Sequence, residues 1–191
     1  MSLRKKTLLT IITAFAFFLI AVAVIAHTVF LNSYLNLEQR FAEENIRRIH
    51  FMLDYELDGL ASLASDWGAW DDTYAFMEDH NPAFIQSNMV DGTFEELMIN
   101  AVIILDNEGS TVYSKGFDLD ESEMVAIPED FRAFLENNID RFIFSNDTEP
   151  VTGLTSAEGI PLIFAASPIL TSGEEGPSRG ALIFARYLAG E

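Results

Sequence analysis

The first clear pattern in the chain is an uninterrupted apolar segment, Thr7 to Leu31 (TLLTIITAFAFFLIAVAVIAHTVFL). His27 is its one titratable residue, and its length exceeds the roughly 20 apolar residues that a helix needs to cross a bilayer. Arg4, Lys5 and Lys6 directly precede it, and such cations are retained on the cytoplasmic side of membranes. We therefore predict a cytoplasmic basic N-terminus (1–6), a transmembrane helix (7–31) and a domain outside the cytoplasm (32–191). A cleaved signal peptide is the alternative, but the segment is longer than a usual signal core.

The pattern after this segment is that of a long amphipathic helix ending near Trp67. Apolar residues recur every three or four positions and form one stripe, while acids and arginines occupy the other faces. The near-heptad spacing also permits pairing with a second copy of the helix. We therefore expect a homodimer along Ile46, Ile49, Leu53 and Leu60.

The rest of the chain predicts short helices followed by an antiparallel sheet. Helices are expected at Trp70 to Glu78, in pieces over 83–98, and at 128–138. β-branched runs and turn residues predict a hairpin at 100–116 and further strands later. These later strands are RFIFS, the two segments flanking Glu158-Gly159, and ALIFARYL, with TSGEEGPSRG as a flexible connection. The predicted fold class is α+β, with one central sheet and a long N-terminal helix continuing from the transmembrane helix.

Composition excludes several classes of function. The formal net charge is −19, and three of the few bases stand before the apolar segment, so the remainder is strongly acidic. Such a domain repels phosphate backbones, and no nucleic-acid partner is expected. The chain has no cysteine, which excludes disulfides and thiol chemistry.

The most unusual stretch is DWGAWDDTY, Asp66 to Tyr74, which combines two tryptophans, a tyrosine and three aspartates. Adjacent residues Asp71 and Asp72 would lie about 100° apart around a helix and would not face each other across a bond, which disfavours paired-carboxylate catalysis. The histidines lack metal-ligand spacing, and the acidic run at 118–123 lacks the glycine of a calcium loop. We predict no catalytic residue, no metal and no cofactor.

Two interpretations of this stretch remain open. Its rings could anchor a helix to the sheet, with an aspartate at the helix start. Alternatively, aromatic faces and carboxylates together would suit a small molecule that is cationic or neutral. An anionic ligand would need a base, for which an arginine on the final strand is the best candidate. The candidate ligand-binding residues are therefore Trp67, Trp70, Asp71, Asp72, Tyr74 and Arg186.

Several segments together resemble a known family. They are the anchor and long helix, followed in order by WDDTY (70–74), NAVIILDNEGSTVYSKGFD (100–118), AASPIL (165–170) and GPSRGALIFARYL (176–188). The chain resembles the class-four CHASE domains, extracellular sensors of histidine kinases and diguanylate cyclases. The resemblance implies a PAS-like sheet, reception of a small-molecule or environmental signal outside the cell, and transmission through the membrane. Any kinase or cyclase activity would lie in a C-terminal module not present here. A membrane-tethered binding protein without signalling output is the alternative.

Overall fold

The computed structural model describes residues 3–144, 149–174 and 176–188, and for 29–37 it describes the backbone alone. The chain divides into two compact units, Met1–Met52 and Leu53–Glu191. Helix α1 (Leu3–Gly68) is continuous over 66 residues, so the predicted transmembrane and amphipathic helices form one element. The two units are described separately below.

The first unit is the N-terminal part of α1. Its stretch Leu3–Thr28 has a mean hydropathy of 2.9 and is long and apolar enough to cross a membrane, a property that signal sequences share. Its side chains are exposed, apart from the half-buried Ala21. Farther along the same unit, Ile46 and Ile49 are 57 % and 64 % exposed.

The second unit is an α+β domain, as predicted. Its six strands form one antiparallel sheet in the order β3-β2-β1-β6-β5-β4, so the last strand lies between β1 and β5 near the centre. After α1 the elements are α2 (Asp71–Asp79), α3 (Pro82–Asn88), α4 (Asp91–Leu97), β1 (Ala101–Leu105), β2 (Thr111–Asp118), β3 (Glu123–Val125), α5 (Glu129–Asn137), a 3₁₀ helix (Ile139–Phe142), β4 (Val151–Ala157), β5 (Ile160–Pro168) and β6 (Ala181–Tyr187).

The sheet separates two hydrophobic cores. Because side chains alternate along a strand, Val102 and Ile104 of β1 enter the core shared with α1 to α4. Ile103 and Leu105 enter the core beneath α5. The central strands β1, β5 and β6 are therefore buried on both faces, which explains their continuous apolar sequences.

Some predicted elements differ in the structure. The described part of RFIFS, residues 141–144, is not a strand, and its Ser145 lies outside the described residues. Arg141 and Phe142 end the 3₁₀ helix, and Phe142 packs edge-on against Phe164 with ring centroids 5.8 Å apart. The acidic run at 118–123 leads into a strand that the sequence did not predict, because β3 forms only by pairing with Gly116 to Asp118 of β2. The helical pieces expected over 83–98 are α3 and α4, and Asp91 and Gly92 begin α4.

The four residues predicted to form the dimer contact differ in their exposure. Leu60 is fully buried in the core of the second unit, and Leu53 packs against that core. Leu60 is therefore covered by its own domain, contrary to the expectation that it contacts another chain. Ile46 and Ile49 are exposed and Leu53 is half-buried, so the homodimer stays a prediction that rests on these three residues.

Candidate functional site

The DWGAWDDTY stretch lies where α1 ends and α2 begins. Trp70 is extended (φ −111°, ψ 130°) and precedes the first residue of α2. Gly68 is the last residue of α1, and a glycine is needed there because the chain passes close to the end of β5: a Cβ would lie 2.7 Å from the Pro168 carbonyl oxygen. The Leu170 N–H donates to the Gly68 carbonyl at 3.0 Å. The stretch is therefore a junction between the long helix and the sheet.

Trp67 is a packing residue of this junction. Its ring lies edge-on to that of Trp70, with centroids 5.6 Å apart and planes at 74°. It lies edge-on to Phe184 of β6 as well, at 5.9 Å and 71°. Such pairs contribute about 0.5–1.5 kcal/mol beyond the area they bury. Trp67 thus holds the end of α1 against the central strand.

Asp71 ties α2 to the segment that follows β5. The Asp71 N–H donates to Ser172 Oγ at 3.2 Å, and the Ser172 N–H donates to Asp71 Oδ1 at 2.9 Å. The carboxylate also stands in the first turn of α2, where the helix dipole favours a negative charge. These hydrogen bonds join α2 to the segment after β5, and they differ from the expected helix cap because the side chain of Trp70, the residue before α2, accepts no N–H group of the helix.

Tyr74 is covered by an arginine that the sequence analysis did not single out. The guanidinium carbon of Arg179 lies 3.8 Å from the Tyr74 ring centroid, and its Nη1 donates to the Tyr74 carbonyl at 2.9 Å. Its Nη2 lies 2.9 Å from Glu78 Oε2. The segment TSGEEGPSRG, which was predicted to be a flexible connection, is thus attached to α2 through Arg179. Arg179 stands immediately before Gly180 and the final strand, and nothing local to it in the sequence indicates this contact.

Trp70 and Asp72 line an open groove of about 350 Å³ between α2 and α3. The two helices meet at His80, which has a left-handed backbone (φ 49°), and at Asn81, whose Oδ1 accepts the Ala83 N–H at 2.9 Å. Stacked rings of Phe76 and Phe84, 4.7 Å apart, join the helices. The lining residues are Trp70, Asp72, Ala75, Phe76, Asp79, Asn81, Ala83, Phe84, Ser87 and Asn88.

Arg186 lies elsewhere and fastens three elements together. Its Nη1 lies 3.0 Å from Glu56 Oε2 of α1, while Nε and Nη2 donate to the carbonyls of Met98 and Leu97 at 2.6 and 3.0 Å. Those carbonyls belong to the C-terminal end of α4, where a cation complements the helix dipole. Glu56 precedes Trp67 by eleven residues, about 16 Å along α1. The structure therefore does not bring Arg186 into the groove.

One buried polar group on α2 has no hydrogen-bond partner among the described residues. The Thr73 side chain is fully buried, and its Oγ1 is unpaired. A buried hydroxyl of this kind destabilises the fold by about 1–3 kcal/mol.

The architecture just described is that of PAS/Cache-like sensor domains, and solved structures share it. The extracellular domain of the histidine kinase vpHK1S-Z8 matches with a TM-score of 0.53 and 13 % identity, over 77 % of this chain and 57 % of that one. The sensor domain of the V. cholerae histidine kinase DctB matches with a TM-score of 0.50 and 16 % identity, over 77 % and 55 %. A domain of a sensory box/GGDEF family protein from Vibrio parahaemolyticus matches with a TM-score of 0.51 and 12 % identity, over 76 % of this chain and 60 % of that one. These similarities concern the fold.

Sequence similarity gives the family. The sequence model of the CHASE4 domain matches residues 52–191, which include the whole second unit. The methanogenesis regulatory histidine kinase FilI of Methanothrix harundinacea (strain 6Ac) is 30 % identical over 156 residues, or 81 % of this chain. The chain spans 17 % of the length of that kinase. This protein therefore belongs to the CHASE4 family of sensor domains, as its resemblance predicted.

Proposed function

We propose that this chain is the input part of a membrane receptor, which binds a small molecule outside the cytoplasm and relays occupancy to a cytoplasmic output module. Membership of the CHASE4 family and the apolar helix at the N-terminus support a membrane-anchored sensor. Arg4, Lys5 and Lys6 support a cytoplasmic N-terminus, since basic residues flanking a span are retained inside. The relative that is a histidine kinase supports kinase output in a further module.

The groove between α2 and α3 is the observation that carries the ligand-binding part of this proposal. Its volume of about 350 Å³ lies at the lower end of the roughly 300–1,000 Å³ of small-molecule sites. It contains Trp70 and Asp72 of the WDDTY motif, one of the segments that carry the resemblance to the family. It also combines apolar walls with a few polar groups, the composition that binds and orients small molecules.

A route for the relay follows from two arginines at the two ends of β6. Arg179, just before the strand, is fastened to Tyr74 and Glu78 of α2, the helix that forms one wall of the groove. Arg186, near its end, is fastened to Glu56 of α1. A ligand that moves α2 would therefore pull on β6, and β6 would displace α1. Closely packed elements transmit such shifts as discrete rearrangements.

Pairing of two chains along the first unit would convert this shift into a change between two membrane helices. Ile46 and Ile49 are the exposed apolar residues that support a homodimer. They stand three residues apart on α1 and share a face. Since the chain has no cysteine, single cysteines introduced there would cross-link without background.

A groove-filling variant tests the proposal without knowledge of the natural ligand. The chain replaces the sensory segment of a membrane histidine kinase, and autophosphorylation is measured in vesicles. Ser87→Trp places an indole in the groove, while Ser156→Trp adds the same group at an exposed position of β4. We expect the first variant to change kinase output several-fold and the second to leave it unchanged. Equal output from both variants and the wild type would overturn the proposal.

A further inference from the structure

The groove between α2 and α3 presents carboxylates to a ligand and no basic side chain. Asp72 and Asp79 are its charged lining residues. Asp79 already accepts the Asn81 N–H through Oδ1 at 2.9 Å. Asp72 has neither a hydrogen bond nor an ion pair with another residue of the described chain, so both of its oxygens are free to accept.

The two arginines that could supply positive charge to this part of the domain are already paired. Arg179 lies against the Tyr74 ring and Glu78, and Arg186 is engaged with Glu56 and two carbonyl groups. An anionic ligand in the groove would therefore meet Asp72 and Asp79 with no basic side chain among the lining residues. Unpaired charge of this kind is unfavourable when it is desolvated, and like charges in contact exclude a ligand.

The indole ring of Trp70 is the second group in the groove that attracts a cation, beside the Asp72 carboxylate. Neither neighbouring ring is stacked parallel on it: Trp67 is inclined at 74° and Phe84 at 56°. Tryptophan offers the strongest cation–π attraction of the aromatic side chains. The protein already uses this chemistry one turn along α2, where Arg179 lies over Tyr74 at 3.8 Å.

We propose that the groove binds a small organic cation, an amine or quaternary ammonium compound. The ammonium group is held by the Asp72 carboxylate and the Trp70 indole, and Phe76 and Phe84 contact the apolar part. This inference rests on the proposed function and specifies the ligand class of the same site. A volume of about 350 Å³ accommodates a small compound of this class.

Two sets of probes that differ in charge but share a shape test this ligand class. The first set is choline, 3,3-dimethyl-1-butanol and 3,3-dimethylbutanoate, and the second is phenethylamine, 2-phenylethanol and phenylacetate. Binding to the full chain in nanodiscs is measured by calorimetry and by tryptophan fluorescence. We expect the ammonium member of at least one set to bind at least tenfold more tightly than its neutral and anionic counterparts. Its affinity should fall as salt is raised.

A matched pair of variants assigns the binding to the groove. Asp72→Asn keeps the side-chain shape and removes the charge, and Asp66→Asn makes the same change at an exposed motif residue outside the groove. We expect Asp72→Asn to bind the ammonium probe about tenfold more weakly than the wild type. Asp66→Asn should bind it with the affinity of the wild type. The ligand class is wrong if an alcohol or carboxylate binds as tightly, if Asp72→Asn binds like the wild type, or if no probe binds. In each case a response of kinase output to Ser87→Trp would show that the sensor function itself stands.

Discussion

Arg186 on β6 and Glu56 on α1 form an ion pair, with Nη1 and Oε2 3.0 Å apart. The same guanidinium donates to the last carbonyls of α4, so one side chain joins the central strand, the long helix and a short helix. Its side chain is 24 % exposed and that of Glu56 41 %. The pair is a direct polar link between the central strand β6 and the long helix α1.

Removing each partner of this pair should have different effects on stability. Arg186→Ala leaves the α4 carbonyls and Glu56 without their donor, and we expect a loss of about 2–3 kcal/mol, as for hydrogen bonds to charged groups. Glu56→Gln removes only a half-exposed charge and should cost about 0.5 kcal/mol. Thermal unfolding followed by tryptophan fluorescence measures both, because Trp67 and Trp70 are the only tryptophans and both lie in the domain. Equal losses would contradict the three-element role of Arg186.

The same pair should matter for the relay. In the kinase chimera, Ser87→Trp is expected to change the output. When Glu56→Gln is also present, this change should be smaller, since the link from β6 to α1 is weakened. Asp58→Asn is the control, because it removes a charge from an exposed position of the same helix. If Ser87→Trp changes the output by the same amount with and without Glu56→Gln, this route is excluded.

The adjacent carboxylates Asp71 and Asp72 should separate folding from binding. Asp71→Ala loses the hydrogen bond from the Ser172 N–H and the charge at the start of α2, so we expect a loss of about 1 kcal/mol. Its effect on ligand affinity should be small. Asp72→Asn should weaken ammonium binding while the unfolding temperature stays within about 1 °C, as for an exposed substitution. Loss of both properties in both variants would mean that the two residues act as one unit.

Replacing Thr73 by valine should stabilise the domain. Valine has nearly the same shape, and it removes a fully buried hydroxyl that has no partner among the described residues. We expect a gain of about 1 kcal/mol in the free energy of unfolding. A lower unfolding temperature would show instead that the hydroxyl is hydrogen-bonded in solution.

Alkaline pH should destabilise the domain through two tyrosines. Burial raises the pKa of Tyr187, as do the charges of Glu158, Asp130 and Asp118, and burial raises the pKa of Tyr113. The folded state therefore holds these protons more tightly than the unfolded chain, whose tyrosines ionise near pH 10. The resulting stability is complete below about pH 10 and is lost as the pH rises through the folded pKa values.

The unfolding temperature should thus decrease above about pH 10, and Tyr187→Phe should make this decrease shallower. Tyr55→Phe is the control, because Tyr55 is 70 % exposed. Melting curves between about pH 8 and pH 11 measure both slopes. Identical slopes for the wild type and Tyr187→Phe would contradict the assignment.

The elements that the sequence predicted well are those whose pattern reflects burial along the chain. The stripe through Leu57 and Leu60 predicted the end of α1, and the apolar runs of β1, β5 and β6 predicted the central strands. RFIFS has the same apolar character, but Phe142 and Phe144 are buried beneath α5 from a 3₁₀ turn and the segment after it. A short apolar run predicts burial better than it predicts strand geometry.

The site was predicted only in part, because its geometry depends on contacts between distant residues. The residues of the DWGAWDDTY motif are adjacent in sequence but have two different positions in the fold. Trp67, Asp71 and Tyr74 hold the junction between α1, α2 and the sheet. Trp70 and Asp72 line the groove. Nothing local to Arg179 indicates that it lies on a tyrosine 105 residues earlier in the chain. Arg186 was correctly placed on the final strand, but its side chain is engaged with Glu56 rather than with the motif.

The measurement that tests the central claim most directly is an NMR titration of the two indole N–H groups. The probe that binds most tightly, whatever its charge, is added to the full chain in nanodiscs, and Trp67→Phe assigns the two signals. A ligand in the groove should shift the Trp70 signal and saturate it at the concentration found by calorimetry. Trp67, packed between Trp70 and Phe184, should shift less. Calorimetric saturation with an unmoved Trp70 signal would contradict the assignment of the groove as the sensory site.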